Sequence, residues 1–144
     1  LRPGIARLID EARQAGIRLA IATTTTPANV EALLRASLGP EAASRFEVVG
    51  AGDVVPAKKP APDIYRWVLE RLGLPAAACL AIEDSEIGLK AALTAGVPCL
   101  VTVSEYTAGQ DFSGAAEVVN DLGRASLADL VAIHGLIRIP AERQ

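Results

Sequence analysis

The chain has 144 residues, a hydrophobic fraction of 51% and a net charge of −3. That length suits one domain with a substantial core, and the apolar content excludes intrinsic disorder. The mildly acidic balance leaves no electrostatic footprint for nucleic acid or an anionic membrane, and no apolar run reaches the roughly 20 residues of a bilayer span.

Taken in chain order, the first predicted element is a helix from Pro3 to Ala15. Pro3 suits a first-turn position, and Ile5, Leu8, Ile9 and Ala12 form an apolar stripe that Gly16 ends. The opening LRPGIARLIDEARQAG therefore reads as an amphipathic helix and not as a signal peptide. Ile17 to Ala22 reads as a strand that runs into four threonines, Thr23 to Thr26. Pro27 opens a second helix, PANVEALLRASLG, which Gly39 stops. A short strand is expected from Phe46 to Val49, followed by an irregular segment rich in glycine and proline, GAGDVVPAKKPAPD. A third helix spans Ile64 to Leu72 and ends near Gly73.

The next stretch, CLAIEDSEIGLKAALTAG, changes character abruptly. A short apolar run, Cys79 to Ile82, reads as a buried parallel strand, and it ends in two acids, Glu83 and Asp84. Ser85 is placed to cap a helix that continues to Ala95 and stops at Gly96. Pro98 to Val103 forms a further strand, and Val118–Val119 a short last one. Ser126 caps a terminal helix to Ile133, and the polar RIPAERQ is expected to fray. Strands alternating with helices imply an α/β domain with a mainly parallel sheet, here residues 1–137, followed by a polar tail at 138–144. Both cysteines, Cys79 and Cys99, fall in apolar runs and read as buried, reduced core thiols, which points to the cytoplasm, or to the chloroplast stroma in a plant or alga. His134 reads as a helix-end residue.

Three features bear on chemistry. The acids Glu83 and Asp84 sit where a strand's carboxyl end meets a helix's amino end, the edge at which open α/β sheets bind ligands. Acids are favoured at a helix start in any case. Two adjacent carboxylates at the mouth of a crevice also suit a hard divalent cation such as Mg²⁺. The threonine run is a β-favouring stretch in its plainest reading, yet at a strand end its hydroxyls and backbone N–H groups make a phosphate seat. Lys59 lies in a segment stiffened by Pro60 and Pro62, which holds its ammonium as a fixed charge. Lys58 and Lys59 are adjacent in extended chain and point opposite ways, so only one of them faces the site.

In their order along the chain, Thr23, Lys59 and the Glu83–Asp84 pair resemble motifs two, three and four of the haloacid dehalogenase superfamily. KKPAPDIY and IEDSEIGLKAA resemble its β-phosphoglucomutase and phosphoglycolate-phosphatase-like branch. The LRPG opening, ATTTTPANVEALL and DFSGAAEVVNDLG resemble more narrowly the CbbY-like sugar-phosphate phosphatases associated with the Calvin cycle. The resemblance implies a Rossmann-like parallel sheet with helices on both faces and Mg²⁺-dependent phosphoryl transfer. The implied catalytic residues are Thr23, Lys59 and Asp84. Thr23, Thr24 and Lys59 would bind the substrate phosphate, and Glu83 with Asp84 would hold the metal. The implied partner is a small phosphorylated sugar such as xylulose 1,5-bisphosphate.

The departures from the family are equally specific. The family's nucleophile is the first Asp of an N-terminal Asp-x-Asp-Gly-Thr motif, phosphorylated and then hydrolysed. These 144 residues contain no such motif: Asp10 lies mid-helix in LIDEARQ, and Asp53 lies in GAGDVV. The strand bearing that motif and the substrate-selecting cap domain are both expected to be missing. The sequence then corresponds to the C-terminal part of a larger phosphatase and is inactive alone. In the family the missing strand is flanked by the strands ending at Thr23 and at Asp84. A gap or a direct pairing between those two is expected, with an open edge that invites association. A phosphomutase of the same superfamily, a receiver-like domain and a non-catalytic phosphate-binding module remain alternatives.

Overall fold

The computed structural model describes residues 3–142, with side chains described through Gly135. Helix α1 spans Ile5–Gln14 and buries Leu8, Ile9 and Ala12, the stripe read from the sequence. It leads into strand β1, Ala20–Ala22. Helix α2, Pro27–Leu38, starts as expected: Thr26 accepts a hydrogen bond from Asn29 N at 3.2 Å, and Pro27 takes the first turn. Strand β2, Val48–Gly50, follows, then helix α3, Asp63–Leu72, and strand β3, Ala81–Glu83. Helix α4, Glu86–Thr94, is capped by Ser85, whose hydroxyl accepts from Gly88 N at 3.2 Å. Strands β4, Cys99–Thr102, and β5, Glu117–Val119, precede helix α5, Leu127–Glu142. Short 3₁₀ turns at Ala42–Arg45, Gly52–Val54 and Ala76–Ala78 fill the connections.

Every strand pairing is parallel, as the alternation of elements predicts, but the sheet lies in two pieces. Strand β1 pairs with β2, while β3, β4 and β5 form a separate three-stranded sheet. Strands β1 and β3 do not pair, so each presents an edge to a cavity of about 1050 Å³ that both of them line. Of the two expected outcomes, a gap or a direct pairing, the chain adopts the gap. Ile82 of β3, on that edge, is 38% exposed.

Alternation along the strands assigns the helices to two faces. Cys99 and Val101 of β4 pack with Ile64 and Tyr65 of α3 and with Leu89, Ala91 and Ala92 of α4. Leu100 points the other way, onto Leu8 of α1, Leu122 and Leu130 of α5. In the smaller sheet Ile21 and Val49 pack under Val30 and Leu34 of α2. Gly50 faces α3 so closely that a Cβ there would lie 2.9 Å from the side chains of Ile64 and Val68. Helix α3 contacts β1 and β2 as well as α4, and so bridges the two pieces of the sheet.

Several boundaries differ from expectation for identifiable reasons. Strand β1 holds three residues and not the six from Ile17 to Ala22, because it has a hydrogen-bonding neighbour on one side only. Cys79 lies before β3, in extended chain after a 3₁₀ turn, and is half-buried and not in the core; Cys99 is fully buried as expected. Both thiols are free. Helix α5 runs nine residues past Ile133, so 138–142 of the expected tail are helical backbone, and the last two tail residues lie outside those described. Ser126 caps this helix reciprocally: its hydroxyl accepts from Asp129 N at 3.1 Å and its own N–H donates to Asp129 Oδ2 at 2.9 Å. No helix among the described residues is long and apolar enough to cross a membrane.

Candidate active site

The parallel order puts the carboxyl ends of β1 and β3 at the same mouth of the cavity. Thr23 follows β1 directly. Its N–H donates to Gly50 O at 2.9 Å, which extends the ladder by one residue and fixes the side chain at the rim. Thr23 Oγ1 accepts from Thr25 N at 3.2 Å, which leaves the hydroxyl proton for an incoming oxygen. Thr24 and Thr25 line the same cavity and are exposed, while Thr26 is spent on capping α2.

Lys59 spans the mouth. Its Nζ donates to Ala22 O, the last residue of β1, at 2.9 Å and to Glu83 Oε2, the last residue of β3, at 2.7 Å. An ammonium carries three donors, so one remains beyond these two. The side chain is only 11% exposed. Lys58 points away, is 56% exposed and lies 3.8 Å from the solvated Asp53. The Lys59–Pro60 peptide bond is cis, where an extended segment was expected.

The two acids divide. Glu83 turns inward and is 9% exposed; its Oε2 accepts from Lys59 and also from the Tyr65 hydroxyl. Its Oε1 lies against Gly88 of α4, where a Cβ would come within 2.1 Å. Asp84 is exposed at the mouth and lines the cavity. The pair expected to share one cation is therefore arranged with Glu83 in an ion pair and Asp84 facing outward. Strand geometry explains this, because consecutive residues at a strand end project to opposite sides. Among the described residues no group of three or more His, Cys, Asp or Glu gathers as a metal cage. The donors present still suit Mg²⁺, which commonly takes one or two carboxylates and completes its shell with waters and phosphate oxygens.

Burial tunes the groups behind the mouth. Tyr65 is 8% exposed, and desolvation, with the neighbouring Glu83 charge second, raises its hydroxyl far above the ordinary tyrosine value, so it remains a donor. Burial, again with Glu83 second, pushes the Cys99 thiol up to about 12. Tyr65 was visible in KKPAPDIY but carried no sign of this role, since an aromatic on an apolar helix stripe reads as core. A second unforeseen device holds the start of α4. Glu86 N donates to Gln110 Oε1 at 2.7 Å, and Glu86 Oε1 accepts from Asp111 N at 2.9 Å, which pins the loop after β4 beside Asp84. The hydrogen bond from Lys90 is the main cause holding the Glu86 carboxyl below its ordinary value. His134 lies away from the mouth, with Nε2 2.8 Å from Ala77 O.

Known proteins resemble this chain in sequence and fold. Protein CbbY of Rhodobacter capsulatus is 56% identical over 126 residues, covering 88% of this chain and 56% of that protein. The crystal structure of CbbY from Rhodobacter sphaeroides in complex with phosphate superposes with a TM-score of 0.87 at 50% identity, over 91% of this chain and 59% of that one. A mutant of the same protein in complex with xylulose-(1,5)bisphosphate matches equally well, with a TM-score of 0.87 over 90% of this chain and 58% of that one. The chain thus spans a little over half the length of these relatives. Residues 1–96, which carry the threonine run, Lys59 and both acids, match the haloacid dehalogenase-like hydrolase family, and the chain belongs to that family.

Proposed function

We propose that this chain forms the phosphate- and metal-binding part of a Mg²⁺-dependent phosphoric monoester hydrolase that acts on a small sugar phosphate, with xylulose 1,5-bisphosphate as the leading candidate. The observation that carries the reading is the convergence of Thr23, Lys59 and Asp84 on one mouth, with the Lys59 ammonium tied to the ends of both flanking strands. Phosphoryl transfer asks mainly for positioning and charge stabilisation, and these groups supply both. Thr23, with Thr24 beside it, donates to the phosphoryl oxygens. The remaining Lys59 donor offsets their charge at a fixed point. Asp84 would hold Mg²⁺, with Glu83 behind it fixing Lys59. When bound, the ion neutralises phosphoryl charge and orients the transferring group.

The nucleophile lies outside these 144 residues. The cavity between β1 and β3 is lined by the unpaired edges of both, and a strand laid there sits about 4.8 Å from each neighbour. An aspartate carboxylate at the carboxyl end of such a strand reaches the same mouth as Lys59 and attacks phosphorus as the ester P–O bond breaks and the sugar leaves as its protonated alcohol, giving an aspartyl-phosphate that water then hydrolyses to inorganic phosphate and the free carboxylate. The relatives' greater length supports a segment of this kind. Calorimetric titration of the chain with inorganic phosphate tests the binding half. Affinity is expected to rise with Mg²⁺, and the rise to vanish in Asp84→Ala. Phosphate binding indifferent to Mg²⁺, or a gain that survives Asp84→Ala, would overturn the assignment.

A further inference from the structure

The structure assigns Tyr65 as a positioning residue for Lys59, acting through Glu83, with Gly88 providing the space this requires. Among the described residues Glu83 is the single carboxylate that meets Lys59, and its two oxygens have different surroundings. Oε2 receives the Lys59 ammonium and the Tyr65 hydroxyl together, and the Tyr65 ring also lies under Lys59, with Nζ 5.4 Å from the ring centroid. Oε1 packs against the α4 backbone at Gly88, where a Cβ would lie 2.1 Å away. The carboxylate is therefore gripped from α3 on one side and α4 on the other.

The consequence for Lys59 is geometric. A long side chain with three equivalent donors has many ways to satisfy one acceptor. With Oε2 fixed by Tyr65 and Ala22 O fixed by β1, two of its donors are aimed and the direction of the third follows. The Tyr65 hydroxyl donates to the same oxygen, Oε2. The Glu83 charge is thereby shared between two donors, so that Lys59 keeps attraction for an anion at the mouth. Burial keeps the hydroxyl protonated, so the grip is permanent at ordinary pH. That Lys59 meets phosphate at all rests on the proposed function; that Tyr65 sets its orientation does not.

The test separates the two. In the unmodified chain, ¹⁵N-labelled at lysine, a slowly exchanging ammonium resonance assigned to Lys59 by its loss in Lys59→Arg is expected. Tyr65→Phe, which keeps the ring, is expected to broaden or displace that resonance while the far-ultraviolet circular dichroism stays unchanged. Inorganic phosphate is expected to shift the resonance in the unmodified chain, and Tyr65→Phe to raise the phosphate dissociation constant about tenfold. In a Lys59→Ala background the same Tyr65→Phe change is expected to leave phosphate affinity where Lys59→Ala put it, an outcome that a purely structural tyrosine would not give. Gly88→Ala reaches Glu83 from the opposite oxygen and should disturb the Lys59 resonance as well, which decides the matter if Tyr65→Phe fails to fold. A Lys59 resonance unmoved in the folded variants would overturn the assignment, whatever phosphate does. A resonance that moves with Tyr65→Phe yet ignores phosphate would leave Tyr65 in place and overturn the phosphate site.

Discussion

Lys59 and Lys58 are neighbours in sequence and opposites in environment. Lys59 is buried against Glu83, and deleting it strands a buried carboxylate, so Lys59→Ala is expected to cost about 3 kcal/mol in denaturant unfolding. Lys58→Ala removes a solvated cation and is expected to stay within about 0.5 kcal/mol. Equal costs would refute the opposite facing of the two lysines, which was expected from the alternation of extended chain and is found in a turn, where Ala61 N donates to Lys58 O at 3.0 Å. The same alternation applies to Glu83 and Asp84, yet two adjacent acids suggested one shared cation. Alternation separates the two side chains, and Tyr65, 18 positions away and joined to Glu83 only by the fold, holds Glu83 on the inner side. Tyr65 also makes a prediction about pH. The chain has two tyrosines, and Tyr106 is 87% exposed. A hydroxyl whose folded value lies above its unfolded value of about 10 contributes stability fully below that pH and loses it above. Absorbance near 295 nm is therefore expected to show the Tyr65 hydroxyl still protonated in the folded protein at pH about 11, its tyrosinate appearing only with unfolding. Two tyrosinates in the folded state would contradict the buried hydrogen bond.

Element boundaries divide into those set locally and those set by neighbours. The starts of α4 and α5 were legible because Ser85 and Ser126 cap their own helices through contacts three residues ahead, and that of α2 was legible from Pro27, with Thr26 found to cap it in the same way. Ser85→Ala is expected to cost about 1 kcal/mol. The length of β1 was not legible, since pairing on one side only shortens a strand that its β-branched sequence would extend. Gly88 combines both kinds of constraint. Helix propensity favours alanine by about 1 kcal/mol, but the added Cβ would displace Glu83 from its buried ion pair. Gly88→Ala is expected to destabilise by about 2 kcal/mol net. A stabilising Gly88→Ala would mean that Glu83 is not held where α4 and α3 meet.

At the scale of the whole molecule, the parallel α/β class and the order of elements were readable from composition and periodicity, while the division of the sheet was expected, as one of two outcomes, only from the family resemblance. Periodicity reports which face of a strand is buried and is silent on which neighbour completes its ladder. Apolar strand sequence in β1 and β3 anticipates burial that only a neighbour on the cavity side can give, and Ile82 remains partly exposed as a result. The threonine rim, Lys59 and Asp84 are assembled around that opening, so the proposed function makes the chemistry depend on completion of the sheet. The most direct measurement is release of inorganic phosphate from xylulose 1,5-bisphosphate in the presence of Mg²⁺, by the 144-residue chain alone and by the same chain joined to a strand bearing the nucleophile. No release is predicted from the chain alone. From the completed polypeptide, release is predicted that either Lys59→Ala or Asp84→Ala abolishes. Release by the 144 residues alone, silenced by Asp84→Ala, would show that they already hold a nucleophile and would contradict the account.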